Sequence, residues 1–255
     1  TFTLGFVIGG TGTTGTKPLL VRAAGPALAQ FGVGNPLADP KLQFFAGSTA
    51  AGENDNWEGS GALSTLMAQV GAFAYTNSAS KDAAFSAQAD ILVPANSVVV
   101  SGNGTTGTVI AEVYDATPVA TYTATTPRLI NVSVLKNIPA GSTLTAGFVI
   151  TGTVSKTVLV RAIGPTLAGF GVGGPMPDPR LALFNGSSVQ IAANDDWGGS
   201  GVVQTAMGTV GAFALDPASK DAALLVTLQP GSYTAQASGV NGTAGTALVE
   251  VYEVP

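Results

Sequence analysis

Ser80, Lys81 and Asp82 stand side by side and return as Ser219, Lys220 and Asp221, a grouping that invites comparison with a serine nucleophile activated by a lysine. Neither copy has the Gly-x-Ser-x-Gly elbow or the Ser-x-x-Lys spacing that positions such a nucleophile. Both triples stand directly before an apolar run that starts at Ala83 or Ala222, which reads as a polar turn entering a strand. A second polar cluster, Asn54-Asp55-Asn56-Trp57, returns as Asn194-Asp195-Asp196-Trp197. Asp55, Asp195 and Asp196 are its calcium-ligand candidates, because hard cations take several oxygen donors from one loop. The Asp-x-Asp-x-Asp-Gly pattern is missing and Glu58 gives way to Gly198, so the cluster is expected to close an Asx-turn while the tryptophan covers the core edge. Gly-rich 9–15 lacks the Lys-Ser/Thr ending of a phosphate loop and is read as a hairpin connection.

Arg22 and Glu112 each lie inside an apolar strand pattern, and so do Arg161 and Glu250. A charge in that setting needs a partner, so a structural Arg–carboxylate pair is expected in each copy, with Asp39 and Asp55 as rival acceptors for Arg22. A carboxylate-pair glycosidase built on Asp55 and Glu112 would require two near-identical active sites without flanking acids. Composition narrows the chemistry further. With no His and no Cys, imidazole bases, thiol nucleophiles, disulfides and Cys/His zinc sites are excluded. No cofactor is expected beyond the calcium candidates.

The chain repeats itself. GFVI at 5–8 returns at 147–150, LLVRAAGPAL at 19–28 as VLVRAIGPTL at 158–167, SKDAA at 80–84 at 219–223, and AEVYD at 111–115 as VEVYE at 249–253. Collinear order marks a tandem duplication, with repeat one at 1–115, an extended Thr/Pro linker at 116–127, and repeat two at 128–255. Within each repeat, short β-branched runs alternate with Gly, Pro and Asn turns. The pattern implies an all-β fold, two tandem antiparallel β-sandwich domains of jelly-roll or immunoglobulin-like type. Leu63, Leu66, Met67 and Val70 recur with helical spacing, as do Val203, Ala206, Met207 and Val210, which predicts one short helix per repeat closing an open end of the sandwich. Asn103-Gly104 and Asn241-Gly242 are read as hairpin turns.

Charged residues are only 10% of the chain and the net charge is −5, with no basic run, so nucleic acid is not an expected partner. The apolar stretches are broken by Arg22, Pro26, Arg161 or Pro165 well short of a membrane-spanning length. Thr1 at the start, with no basic or apolar leader behind it, reads as a processed or trimmed chain, and the Gly/Thr-rich, charge-poor composition points to an exported bacterial protein, extracellular or at the cell surface. Asn103, Asn131, Asn185 and Asn241 head N-x-S/T sequons, the candidate glycosylation positions.

Taken together, R-A-x-G-P-x-L, F-G-V, N-D-x-W, S-K-D-A-A, P-G-S-Y-T (230–234) and E-V-Y resemble tandem β-sandwich repeats of large secreted and surface proteins of bacteria. The second half, Asn194 to Tyr252, is also similar to the bacterial pre-peptidase C-terminal domain, a noncatalytic sandwich appended to exported enzymes. The first half departs from the pattern at Val93-Pro94-Ala95-Asn96-Ser97, where Pro-Gly-Ser-Tyr-Thr is expected. The resemblance implies a structural or accessory role and names no ligand.

One difference between the copies bears on assembly. Repeat two carries Arg128-Leu129-Ile130-Asn131-Val132-Ser133-Val134-Leu135 ahead of its GFVI strand, an alternating segment that reads as an extra strand, and repeat one has no counterpart. An unfilled sheet edge is a template for another chain. Leu129, Ile130, Val132 and Val134, with Phe2, Leu4 and Phe6, are the residues expected at such an edge, and the expected partner is a second copy added head to tail into an open filament. The rival expectation is a carbohydrate-binding or adhesive module using Trp57, Trp197, Tyr75 or Tyr233 as sugar platforms.

Overall fold

The computed structural model describes residues 1–75 and 77–255. The chain divides into two units, Thr1–Ile130 and Asn131–Pro255. In the first, the strands are β1 (Phe2–Gly9), β2 (Thr16–Ala24), β3 (Lys41–Ala46) and β4 (Thr49–Asn54), then helix α1 (Gly61–Gln69), then β5 (Ala83–Asp90), β6 (Asn96–Ser101) and β7 (Ile110–Asp115). β8 (Arg128–Ile138) opens at the end of this unit and runs on into the second. The second unit continues with β9 (Leu144–Ile150), β10 (Lys156–Ile163), β11 (Pro179–Asn185), β12 (Gln190–Asn194), helix α2 (Gly201–Val210), β13 (Ala222–Leu228), β14 (Gly231–Gly239) and β15 (Gly245–Val254). The fold is mostly β, in antiparallel sheets, and among the described residues no helix is long and apolar enough to cross a membrane.

In the second unit the strand orders are β13-β10-β15-β8 and β12-β11-β14-β9. Alternate residues of both sheets meet in one core: Val158, Val160 and Val249 from the first, Leu181, Leu183 and Ala235 from the second. The first unit orders its strands β1-β6-β3-β4 and β5-β2-β7. Leu4, Phe6 and Ile8 of β1 are buried, and Phe44 of β3 reaches Phe85 of β5 at 6.5 Å between ring centres.

Strand β2 is buried on both faces, Leu19 through Ala24 without interruption, and β10 likewise from Val158 to Ile163. The reason is a third layer. Leu20, Ala24 and Ala84 turn away from the sheet-to-sheet core and pack under Leu28, Trp57, Met67 and Tyr75, and Leu159, Ile163 and Ala223 do so under Leu167, Trp197, Val203 and Met207. The two helices fall where the spacing predicts them, but they cover the outer face of a sheet instead of closing an end. That face is apolar and would otherwise meet water.

The connections differ from expectation too. Asn103 and Gly104 do take positive φ, 42° and 84°, and Asn241 and Gly242 follow, at 54° and 73°. Yet β6 and β7 belong to different sheets, as do β14 and β15, so these turns are crossovers and not hairpins. The Gly-rich 9–15 segment likewise carries the chain from one sheet to the other. A left-handed residue fixes a local reversal and leaves open which strand is joined afterwards. The 116–127 segment is no extended spacer: it contains a short 3-10 turn at Val119–Thr121 and accepts the Thr14 N–H at the Thr125 carbonyl, 3.0 Å, so it lies on the first unit.

Candidate functional site

Arg22 and Glu112 are directly opposite in the β2–β7 register, and Arg161 and Glu250 are opposite in β10–β15. The Arg22 guanidinium has no solvent exposure and donates through Nε (2.9 Å) and Nη2 (2.6 Å) to Glu112 Oε2, and through Nη1 (2.6 Å) to the Phe73 carbonyl. Tyr114 Oη donates to the remaining Glu112 oxygen, 2.6 Å. The rings of Phe73 and Tyr75 lie 4.3 and 4.6 Å from the guanidinium carbon. The second unit repeats the arrangement with Glu250, the Phe213 carbonyl and Tyr252. Burial, reinforced by Glu112, raises the Tyr114 phenol well above the usual tyrosine value, and burial with Glu250 does so for Tyr252. Tyr75 is raised as well, by burial first. Both carboxylate oxygens and all three guanidinium nitrogens are thus engaged within the cluster, an arrangement that ties β2 to β7 and β10 to β15.

Asp82 is the residue whose role sequence reasoning missed. It is fully buried and accepts from the N–H groups of Gly25 (2.7 Å) and Ala27 (3.1 Å) and from the Ser80 hydroxyl. The carboxylate thus sits at the start of the short 3-10 helix Pro26–Phe31, where N–H groups lack internal partners. Asp221 holds Gly164 and Thr166 in the same way, ahead of Pro165–Phe170. This explains the R-A-x-G-P-x-L motif: Pro opens the turn, and a Cβ on Gly25 would lie 2.1 Å from the Leu37 carbonyl oxygen. The joint recurrence of this motif and Ser-Lys-Asp was the available signal.

Lys81 donates to Asp39 at 2.6 Å rather than activating Ser80, and Lys220 donates to Asp178 at 2.7 Å, which raises the Lys220 ammonium value. Asp39 is therefore not the partner of Arg22. Asp55, Asp195 and Asp196 are exposed. The ordered member of that cluster is the asparagine: Asn54 accepts from the Ala84 N–H and donates to the Asn56 carbonyl, both 2.9 Å, and Asn194 does the same with Ala223 and Asp196. Among the described residues no group of three or more acidic side chains is placed to hold a metal ion.

Trp57, Trp197 and Tyr75 are buried, their polar atoms given to the Asn77, Asp216 and Ala83 carbonyls, and so present no flat face for a sugar. Tyr233 stacks on Phe148 at 5.6 Å, packed against the core. A depression of about 90 Å³ beside α1 is lined by Met67, Ala72 and Tyr75 and holds no charged group. Of the sequon residues, Asn103 and Asn241 are exposed, whereas the Asn131 amide nitrogen donates to the Val251 carbonyl at 3.1 Å and the Asn185 side-chain oxygen closes a turn with Ser187 and Val189.

The residues expected at an assembly edge are placed otherwise. Leu4 and Phe6 are core residues of the first unit, and Val132 and Val134 pair with Val251 and Val249 of β15. Leu129 and Ile130 are half-buried, with Ile130 beside Gly9 at the end of β1, and Phe2 is engaged within the fold. The edge at which the two units differ is β7. It ends its three-stranded sheet, while its counterpart β15 carries β8 along its outer side. Exposure follows: Val249 and Val251 are buried, whereas Ala111 and Val113 are half-exposed and Ile110 is 43% exposed.

No family model matches the chain, and no curated protein matches it. Among solved structures, the chain is similar to the pre-peptidase C-terminal domain of a collagenase from Bacillus anthracis, 14% identical over 48% of this chain and 89% of that one, with a TM-score of 0.30. It is also similar to STIV MCP, 13% identical over 99% and 92% with a TM-score of 0.27, and to PNGF-II, 10% identical over 99% and 57% with a TM-score of 0.23. Likeness at these TM-scores bears on neither fold nor function.

Proposed function

We propose that this chain is a nonenzymatic extracellular structural protein of two tandem β-sandwich repeats, which joins copies of itself head to tail through an open sheet edge. The observation that carries the reading is β7, whose outer side bears no strand among the described residues where the sibling unit has one. Natural edges are blunted with charged side chains, lysine above all, or with proline. β7 has neither lysine nor proline, and its two acids are held by the fully buried Arg22 and Lys17, at 2.6 Å each. The recurrent charged clusters are closed on themselves, as a scaffold needs and a catalyst does not. Sedimentation velocity across a concentration series, with negative-stain microscopy of the same samples, tests the reading. Concentration-dependent association into fibres supports it, and a monomer at millimolar concentration refutes it.

A further inference from the structure

We infer that the lane beside β7 accepts one extended polypeptide strand of the chemistry of β8, β-branched apolar residues alternating with small polar ones, in a register that the second unit already displays. The inference rests on β7 being the association edge and adds what fills it. The Ala116 N–H donates to the Pro18 carbonyl at 2.9 Å, and the ladder pairs Leu19 with Asp115 and Arg22 with Glu112. Antiparallel ladders alternate, so Ile110, Glu112 and Tyr114 direct their main-chain groups to β2, and Ala111, Val113 and Asp115 direct theirs outward. In the second unit Glu250 takes the place of Glu112, leaving Val249 and Val251 to face β8, opposite Val134 and Val132. Val132 packs against the sheet-to-sheet core, and Val134, opposite the core residue Val249, is 7% exposed. An incoming strand therefore sets its equivalents of Val134 and Val132 opposite Ala111 and Val113 and covers the core flank that the first unit leaves half-exposed.

The test uses a fluorescent peptide of residues 128–138 added to the full chain, with binding read by anisotropy and amide exchange read residue by residue. Saturable binding is expected, with exchange slowed at Ala111, Val113 and Asp115 and unchanged at Glu112 and Tyr114. Val113→Pro removes an outward N–H without touching the β2 ladder and should weaken binding about tenfold or more, the worth of one backbone hydrogen bond. Should that variant fold poorly by Trp57 fluorescence, the peptide carries the change instead: N-methylation at Val132 abolishes binding, and at Ser133 leaves it intact. Absent binding, protection elsewhere, or indifference to the position of the methyl group overturns the inference. A chain that associates yet ignores the peptide refutes the strand chemistry alone. A chain that takes the peptide but sediments as a monomer refutes only self-assembly.

Discussion

Replacing Arg22 or Arg161 with methionine removes the guanidinium that lies over the Phe73 or Phe213 ring while keeping an apolar stem. Two losses follow. The Phe73 or Phe213 carbonyl gives up a charge-assisted donor, and a carboxylate stays behind with only its tyrosine hydroxyl. Removing one member of a buried pair costs about 3–5 kcal/mol, because the charge left behind is desolvated without its partner. Glu112 keeps 16% of its side-chain surface and Glu250 7%, so Arg22→Met belongs at the lower end and Arg161→Met at the upper. Each unit holds one tryptophan, Trp57 or Trp197, so urea unfolding in Trp197→Phe and Trp57→Phe backgrounds reads the two separately. With a slope of about 2 kcal/mol per molar, the first midpoint drops by roughly 1.5–2 M. The double change Arg22→Met with Glu112→Leu strands no charge, leaving only the Phe73 carbonyl and the Tyr114 hydroxyl without their partners, and should recover much of the loss. A shift under about 1 kcal/mol for Arg22→Met, or a double variant worse than the single, would refute the reasoning.

Asp82→Ala leaves the Gly25, Ala27 and Ser80 donors without an acceptor and should cost about 4 kcal/mol, while Asp82→Asn, which keeps one oxygen, costs about half as much; thermal melts compare them. Lys17→Met removes a buried partner of Asp115 and Thr117 and should lower stability by about 1–2 kcal/mol, whereas Lys156→Met, at a partly exposed pair with Glu253, should change it by less than about 0.5 kcal/mol; equal losses would contradict the burial difference. Burial raises Tyr75, Tyr114 and Tyr252 in the folded state, so their contribution is intact below the unfolded value near 10 and is lost as pH rises past it toward the folded value. Tyr75 contributes up to about 1.4 kcal/mol per pH unit there and the partly solvated Tyr114 and Tyr252 less, so the Trp57 midpoint should fall faster than the Trp197 midpoint between pH 10 and 11.

What could be read without coordinates was whatever a repeated residue type demands locally. An arginine and a glutamate inside apolar strands require each other, and a period of 3.6 at Leu63–Val70 requires a helix. What could not be read was pairing at a distance. Asp82 reaches back across 57 residues to Gly25, and nothing in Ser-Lys-Asp itself announces that its carboxylate starts a 3-10 turn. Strands β4 and β12, Thr-Ala-Ala-Gly-Glu-Asn and Gln-Ile-Ala-Ala-Asn, are sheet edges with little to bury, so they lack alternation. The helices were found but their seat was not, because sheet-face coverage depends on β2 being apolar on both sides. The extra strand of the second repeat was legible, but its place along β15 was not.

The duplicated arginines also explain why a charge is retained where a leucine would pack as well. Sliding β7 by one residue along β2 would turn Glu112 toward the wrong face, and sliding it by two would set Arg22 against Ile110 or Tyr114, leaving two buried charges apart. Either slip costs several kcal/mol that the apolar residues, mostly alanine and valine on these strands, would not themselves impose. With side chains so alike, volume discriminates poorly between registers and the ion pair becomes the discriminator. An open edge makes that lock matter more in the first unit. β7 is held from one side only, and any strand joining it inherits whatever register Arg22 and Glu112 have fixed.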